Sequence, residues 1–364
     1  MPIIVDAHED LAWNAVTFGR DYTRSTHASR EAEKGGRAVS LNGNTLLGLD
    51  EYLQGQVAVI CGTLFAAPRR PGVQAANDWG GPAYSTPDEA HQAYAAQLDY
   101  YSELVDENER FKLVKTGGDL EQVLASWEGD DAAKRRIGLI QLMEGADGIR
   151  EPQEAEWWME RGVRIVGLAW TATRYAGGTN APGPLTPEGR RLLSVMADLG
   201  LILDLSHASD ESYLEALDRF EGVVIASHSN PRSLLKEPRR PERFLTDEMI
   251  RRLAERNGVV GIVPYNNFLS STWQPSDGKA AITLEQVVAM IDHVCQVTGS
   301  VQHVGLGSDF DGGFGVDHTP AEIDTVADLQ KLGPALQARG YSEPDIARVL
   351  AQNWIGLFRR GLPA

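Results

Sequence analysis

Leu201-Ile202-Leu203-Asp204-Leu205-Ser206-His207 is a short apolar run that stops on Ser-His, and Val223-Val224-Ile225-Ala226-Ser227-His228 repeats the form. Both runs are rich in Val, Ile and Leu and lack strict polar alternation. Strands buried on both faces of a parallel sheet read this way. Six further runs of the same kind lie at 3–5, 57–64, 137–143, 165–169, 259–263 and 303–307.

The segments between the runs carry helix punctuation. Thr186-Pro187 suits an N-cap followed by Pro at the first helical position. Leu192, Val195, Met196 and Leu199 then form one apolar stripe, and Gly200 ends it. Thr283 with Gln286 forms a capping box ahead of Val287, Met290, Ile291 and Val294. Thr246 caps a helix that ends near Asn257-Gly258.

Eight strands alternating with helices predict an α/β fold, the (β/α)8 TIM barrel. The rival is an open doubly wound sheet. No Gly-rich dinucleotide fingerprint follows the first strand, which weakens a Rossmann-like reading. The 364 residues suit a single barrel domain spanning 1–364. Two long insertions interrupt the spacing, at 15–56 after strand one and at 66–136 after strand two. The first is polar and Gly-rich, and the second has a Pro- and Gly-rich start before a helical pattern around 90–104. Loops after barrel strands lie on the active-site face, so the first insertion reads equally as a lid or as a surface excursion.

Composition narrows the function. The net charge is −17 and the pI about 4.9. Such a surface repels nucleic-acid phosphates and anionic membranes and fits a soluble cytoplasmic protein. Cys61 and Cys295 form no CxxC motif and read as buried free thiols. No signal segment, hydrophobic tail or long apolar run is present, so no membrane partner is expected.

The chemistry collects where the strands stop. Strand one ends Asp6-Ala7-His8-Glu9-Asp10, and in extended backbone His8 and Asp10 point to the same side. A His and an Asp on one face can share a metal ion, although this pattern alone does not identify a site. Glu144 closes an apolar run, where a carboxylate is costly without a partner. His207 and His228 end two successive strands. Asp309 enters the same cavity after the small residues Gly305, Gly307 and Ser308, and Asp311 reads as orienting the turn. Neutral imidazoles and carboxylates suit Zn²⁺ and related ions. Six candidate donors, one a carboxylate able to bridge, suit two ions about 3.5–4 Å apart, which together acidify a shared water. A neighbouring carboxylate can then carry the proton. The implied reaction is hydrolysis at a carbonyl or phosphoryl centre.

In their order along the chain, Asp6-Ala7-His8-Glu9-Asp10-Leu11, Met143-Glu144-Gly145, Asp204-Leu205-Ser206-His207, Ala226-Ser227-His228-Ser229, Arg243-Phe244-Leu245-Thr246-Asp247 and His303 to Gly312 resemble the motifs of the renal (membrane) dipeptidase family, peptidase family M19, among the amidohydrolase-like barrels. The resemblance spans nearly the whole chain. It implies two Zn²⁺ per chain, with His8 and Asp10 on the first, His207 and His228 on the second, and Glu144 bridging them. It implies that Asp309 transfers protons and that Arg243 grips the substrate's terminal carboxylate, for which a planar guanidinium fork is suited. The implied activity is zinc-dependent dipeptide hydrolysis by a metal-bridging hydroxide, with C-terminal D-residues among the substrates, in a homodimer.

One departure stands out. Where the family's fourth strand ends in a substrate-binding His, this chain has Leu168-Ala169-Trp170. Trp donates one N–H but cannot accept, bind metal or carry a proton. Loss of one oxyanion donor typically costs on the order of 10²–10³ in rate. A second reading is therefore a metal-dependent hydrolase of another small amide, lactone or ester. A third is a catalytically silent binding barrel. His27, His91 and His318 read as surface or loop residues, and His293 and His303 as structural.

Overall fold

The computed structural model describes residues 2–69, 81 and 83–364. Eight parallel strands form its centre: β1 (Ile4–Glu9), β2 (Val57–Phe65), β3 (Ile137–Glu144), β4 (Val163–Gly167), β5 (Ile202–Asp204), β6 (Val224–Ile225), β7 (Val260–Ile262) and β8 (Val304–Leu306). They run in the order β6-β5-β4-β3-β2-β1-β8-β7. One parallel bridge, Ala226 to Val260, joins the two ends. Ala226 N donates to Val259 O at 3.0 Å and Gly261 N to Ala226 O at 2.8 Å. That closure makes the sheet a barrel, and it excludes the open doubly wound alternative.

The apolar runs form these strands because both faces are covered. Every residue of β1, β2 and β3 is buried. Close approach at the closing seam depends on missing side chains. A Cβ on Gly261 or Gly307 would stand 1.9 or 1.8 Å from the Ser227 carbonyl oxygen. A ninth short strand, Phe111–Leu113, pairs with the start of β3, outside the eight expected.

The helix signals act as expected. Thr186 Oγ1 accepts from Gly189 N at 3.0 Å, and the helix Pro187–Asp198 buries Leu192 and Met196. Thr283 and Gln286 close their capping box on the helix Leu284–Thr298. Thr246 Oγ1 accepts from Met249 N at 3.2 Å and starts Asp247–Glu255.

The insertions carry more structure than their composition suggests. The segment 15–56 is no simple loop: it holds the helices Thr26–Glu33, Arg37–Asn42 and Leu49–Gln54. The second insertion holds the helices Pro87–Glu107 and Gly117–Ala125. Part of its Pro- and Gly-rich start lies outside the described residues. Among the described residues no helix is long and apolar enough to cross a membrane.

Candidate metal centre

The strand ends converge on one carboxylate. Glu144 is the last residue of β3, and its Oε1 lies 3.1 Å from His207 Nε2, 3.3 Å from His228 Nε2 and 3.8 Å from His8 Nε2. His207 Nε2 and His228 Nε2 are 3.0 Å apart. His8 Nε2 also lies 3.8 Å from Asp10 Oδ2. Asp10 Oδ1 accepts from Thr63 Oγ1 at 2.5 Å, which aims the other oxygen at the imidazole.

Two of these groups are delivered by turns rather than by strand register. β5 ends at Asp204, and His207 follows with φ of +64°, while Asp309 has φ of +58°. Non-glycine residues seldom adopt this left-handed region, at a cost of about 1–3 kcal/mol each. The Asp309 turn is tied to β1, because Asp309 N donates to His8 O at 2.9 Å.

The donor set fits metal ions. Zinc-to-nitrogen or -oxygen bonds of about 2.0–2.1 Å in a tetrahedron put neighbouring donors about 3.3 Å apart. Glu144, His207 and His228 are spaced 3.0, 3.1 and 3.3 Å from one another. His8, Asp10 and Asp309 form a second group of ligand-like spacing. The buried His8 Nε2 has no hydrogen-bond partner among the described residues, which suits a metal-ligand atom.

The protein alone disfavours the charges this cluster would carry. Burial, with Asp10 and Asp309 adding repulsion, raises Glu144 well above the usual carboxylate range. Burial, then the Asp10 charge, does the same for Asp309. Asp10 is pushed up to about 7, chiefly by burial. Burial pushes His8, His207 and His228 well down, with Arg243 contributing at each. Neutral imidazoles beside carboxylates that need a counter-charge are the state a bound cation stabilises.

A cavity of about 340 Å³ opens over the cluster, lined by Asp10, Glu144, His207 and Asp309. Arg243 and Trp170 line it too. Arg243 sits in the basic stretch 239–243 but is buried, with its Cζ 4.8 Å above the Phe268 ring centre. Its Nη1 reaches Ser229 Oγ at 3.4 Å, while Nε and Nη2 have no hydrogen-bond partner among the described residues. A guanidinium edge left bare inside a cavity suits an incoming carboxylate. Trp170 is half-buried, edge-on to Phe65 at 4.9 Å and 6.2 Å from the His207 ring. Residues 15–56 supply none of the lining.

The structure places Asp311 outside both donor groups, with its carboxylate taken up by Arg20, Tyr22, Thr45 and Leu46. His293 pairs with Asp247 at 2.8 Å, and His303 meets Gly258 O at 3.0 Å. His27 is exposed. His91 and His318 are half-buried, and His91 lies on the helix Pro87–Glu107 against Gly148 O at 3.2 Å. Three partners of the cluster escape a reading of the sequence: Thr63, Thr179, whose Oγ1 lies 3.0 Å from His207 Nδ1, and Ser227. Thr63 stands out as the polar residue of an apolar run, and Ser227 adjoins His228. Thr179 has no local signal, because a hairpin folded over His207 delivers it.

The sequence profile of the membrane dipeptidases, peptidase family M19, matches residues 1–360. An uncharacterized protein of Klebsiella pneumoniae is 30% identical over 235 residues, covering 61% of this chain and 82% of that one. An uncharacterized dipeptidase of Schizosaccharomyces pombe is 31% identical over 229 residues, covering 60% of this chain. The match spans about half of that relative, 53% of its length. Among solved structures, a metallo peptidase of Rhodobacter sphaeroides, liganded with a phosphinate mimic of the dipeptide L-Ala-D-Ala, superposes with a TM-score of 0.77 at 25% identity. That superposition covers 99% of this chain and 100% of the other.

Proposed function

The chain belongs to the membrane dipeptidase family, peptidase family M19, and on that premise we propose that it hydrolyses dipeptides at a pair of zinc ions. One observation carries the proposal: a single Glu144 oxygen faces three imidazoles at 3.1–3.8 Å, in a cavity that also holds Asp309 and the bare edge of Arg243. His8 and Asp10 would hold one ion, His207 and His228 the other, and Glu144 both. Bound there, two ions supply Lewis acidity and a water acidified toward neutrality.

The chain's own residues do the rest. Arg243 binds the terminal carboxylate through its unpartnered Nε and Nη2 and so sets the peptide's orientation. Asp309 takes the proton of the attacking water and returns it to the leaving amine nitrogen. Trp170 and Phe65 form an apolar wall beside His207. The ligand of the Rhodobacter sphaeroides relative supports including dipeptides with a C-terminal D-residue among the substrates.

The test pairs metal analysis with a dipeptide panel that includes C-terminal D-residues. About two zinc ions per chain and zinc-dependent release of amino acids are expected. A fully zinc-loaded protein that cleaves no dipeptide overturns the peptidase reading. Trp170 favours a second reading, in which the bond is another small amide, a lactone or an ester. Faster turnover in an ester and lactone screen than on any dipeptide selects it.

A further inference from the structure

Behind the cluster lies one hydroxyl with four polar neighbours, the farthest being Ser206 Oγ at 3.3 Å. Ser227 is fully buried, and its Oγ stands 2.5 Å from Asp204 Oδ2, 2.8 Å from His228 Nδ1 and 3.2 Å from His8 Nδ1. The two imidazoles face each other with ring centres 3.5 Å apart. His8, Asp204 and His228 have ligand-like spacing of their own. A cation there would have to displace Ser227 Oγ, which already lies within hydrogen-bond distance of all three.

Counting protons assigns the bonds. A hydroxyl has one proton to donate and two lone pairs to accept. Asp204 Oδ1 is occupied by the backbone N–H groups of Ser206 at 3.0 Å and Ser227 at 2.9 Å. Oδ2 has the hydroxyl, so the Ser227 proton goes to Asp204. Ser206 Oγ, 3.3 Å from the Ser227 hydroxyl, also hydrogen-bonds Asp204, and with its proton directed there both Ser227 lone pairs are left for the Nδ1–H groups of His8 and His228. Each imidazole is thereby held in the form whose Nε2 is free to bind metal.

We propose that the Ser227 hydroxyl, held by Asp204, is a shared positioning group that aims one ligand of each metal ion. The proposal rests on the two-metal reading above. His207 differs, since its Nδ1 has a separate partner in Thr179 at 3.0 Å. Loss of Ser227 should therefore disturb both ions, and loss of Thr179 only one.

The test is a chelator-competition titration of zinc into wild type, Ser227→Ala, Ser227→Thr and Thr179→Val. Removing an outer partner of a ligand typically weakens metal affinity about 10–100-fold. Ser227→Ala should weaken both ions by that factor, Ser227→Thr should restore most of it, and Thr179→Val should weaken one ion. Ser227→Ala weakening one ion or neither overturns the shared role. A wild type that binds fewer than two ions instead defeats the two-metal reading, so the two failures are distinguishable. Should Ser227→Ala not fold, the Thr179→Val variant loaded with cobalt still decides. Two ring N–H resonances protected from solvent exchange are expected there, and a single one overturns the proposal.

Discussion

Arg20 Nη1 donates to Asp311 Oδ2 at 2.8 Å, and neither side chain is exposed to solvent. The same carboxylate oxygen accepts from Tyr22 at 2.8 Å and Thr45 at 2.6 Å, and Oδ1 accepts from Leu46 N at 3.0 Å. The insertion after β1 thus grips the turn after β8, two residues beyond Asp309. Neither a lid nor a loose surface excursion describes it. The segment is a buttress that holds a strained turn from behind.

Arg20→Met should cost about 3–5 kcal/mol, because it leaves the Asp311 charge buried without its main partner. Denaturant unfolding measures the loss. Stability unchanged within error would show that the hydroxyl and amide donors suffice alone.

Asp309→Asn should lower kcat by about 10²–10⁴, the usual contribution of a positioned proton carrier. Zinc content, measured in parallel, should stay as in wild type. Loss of an ion with the activity would make Asp309 a ligand rather than a proton carrier.

Arg243→Lys keeps the charge and loses the planar fork. A hydrogen bond to a charged group contributes about 1.5–3 kcal/mol, so kcat/KM for free dipeptides should fall about 10–100-fold. Dipeptide amides, which lack the carboxylate, should be cleaved equally by both proteins. An equal loss on both substrates removes the assigned contact.

Zinc binding should expel protons. Without metal, burial raises Asp10 to about 7, so its carboxyl retains a proton at pH 6.5, and burial pushes Glu144 and Asp309 in the same direction. The imidazoles, pushed down by burial, are already neutral there. The ion requires anionic carboxylates, so apparent affinity rises with pH through the region around 7. Calorimetry at pH 6.5 in buffers of different ionisation enthalpy reads the released protons, and heats independent of buffer contradict the assignment.

Trp170→His tests what the departure from the family pattern has done. The variant should gain on the order of 10²–10³ in dipeptide turnover if an oxyanion donor is what the chain lacks. No gain, with zinc content intact, would mean that the aromatic wall belongs to the substrate this protein prefers.

Much of the barrel is legible in the eight apolar runs, because burial on both faces leaves a composition that survives without coordinates. Strand ends are less legible. The run at 201–205 resumes its apolar character at Leu205, yet β5 stops at Asp204, where the carboxylate takes two backbone N–H groups and turns the chain. The helices of 15–56 were hidden by Gly and polar composition, although Ser25 caps Thr26–Glu33 by accepting from Ala28 N at 3.2 Å.

By itself the sequence determined the strand period, the helix caps and which side chains capable of holding a metal end the strands. These are local properties: a run of Val and Ile, or a Thr before a Pro, acts within a few residues of itself. Only the tertiary structure decided that one Glu144 oxygen faces three imidazoles, that Arg243 is buried with a bare edge, and that Ser227 reaches a histidine 219 residues away. Those relations exist because the barrel closes, and closure brings together strand ends that no local preference connects.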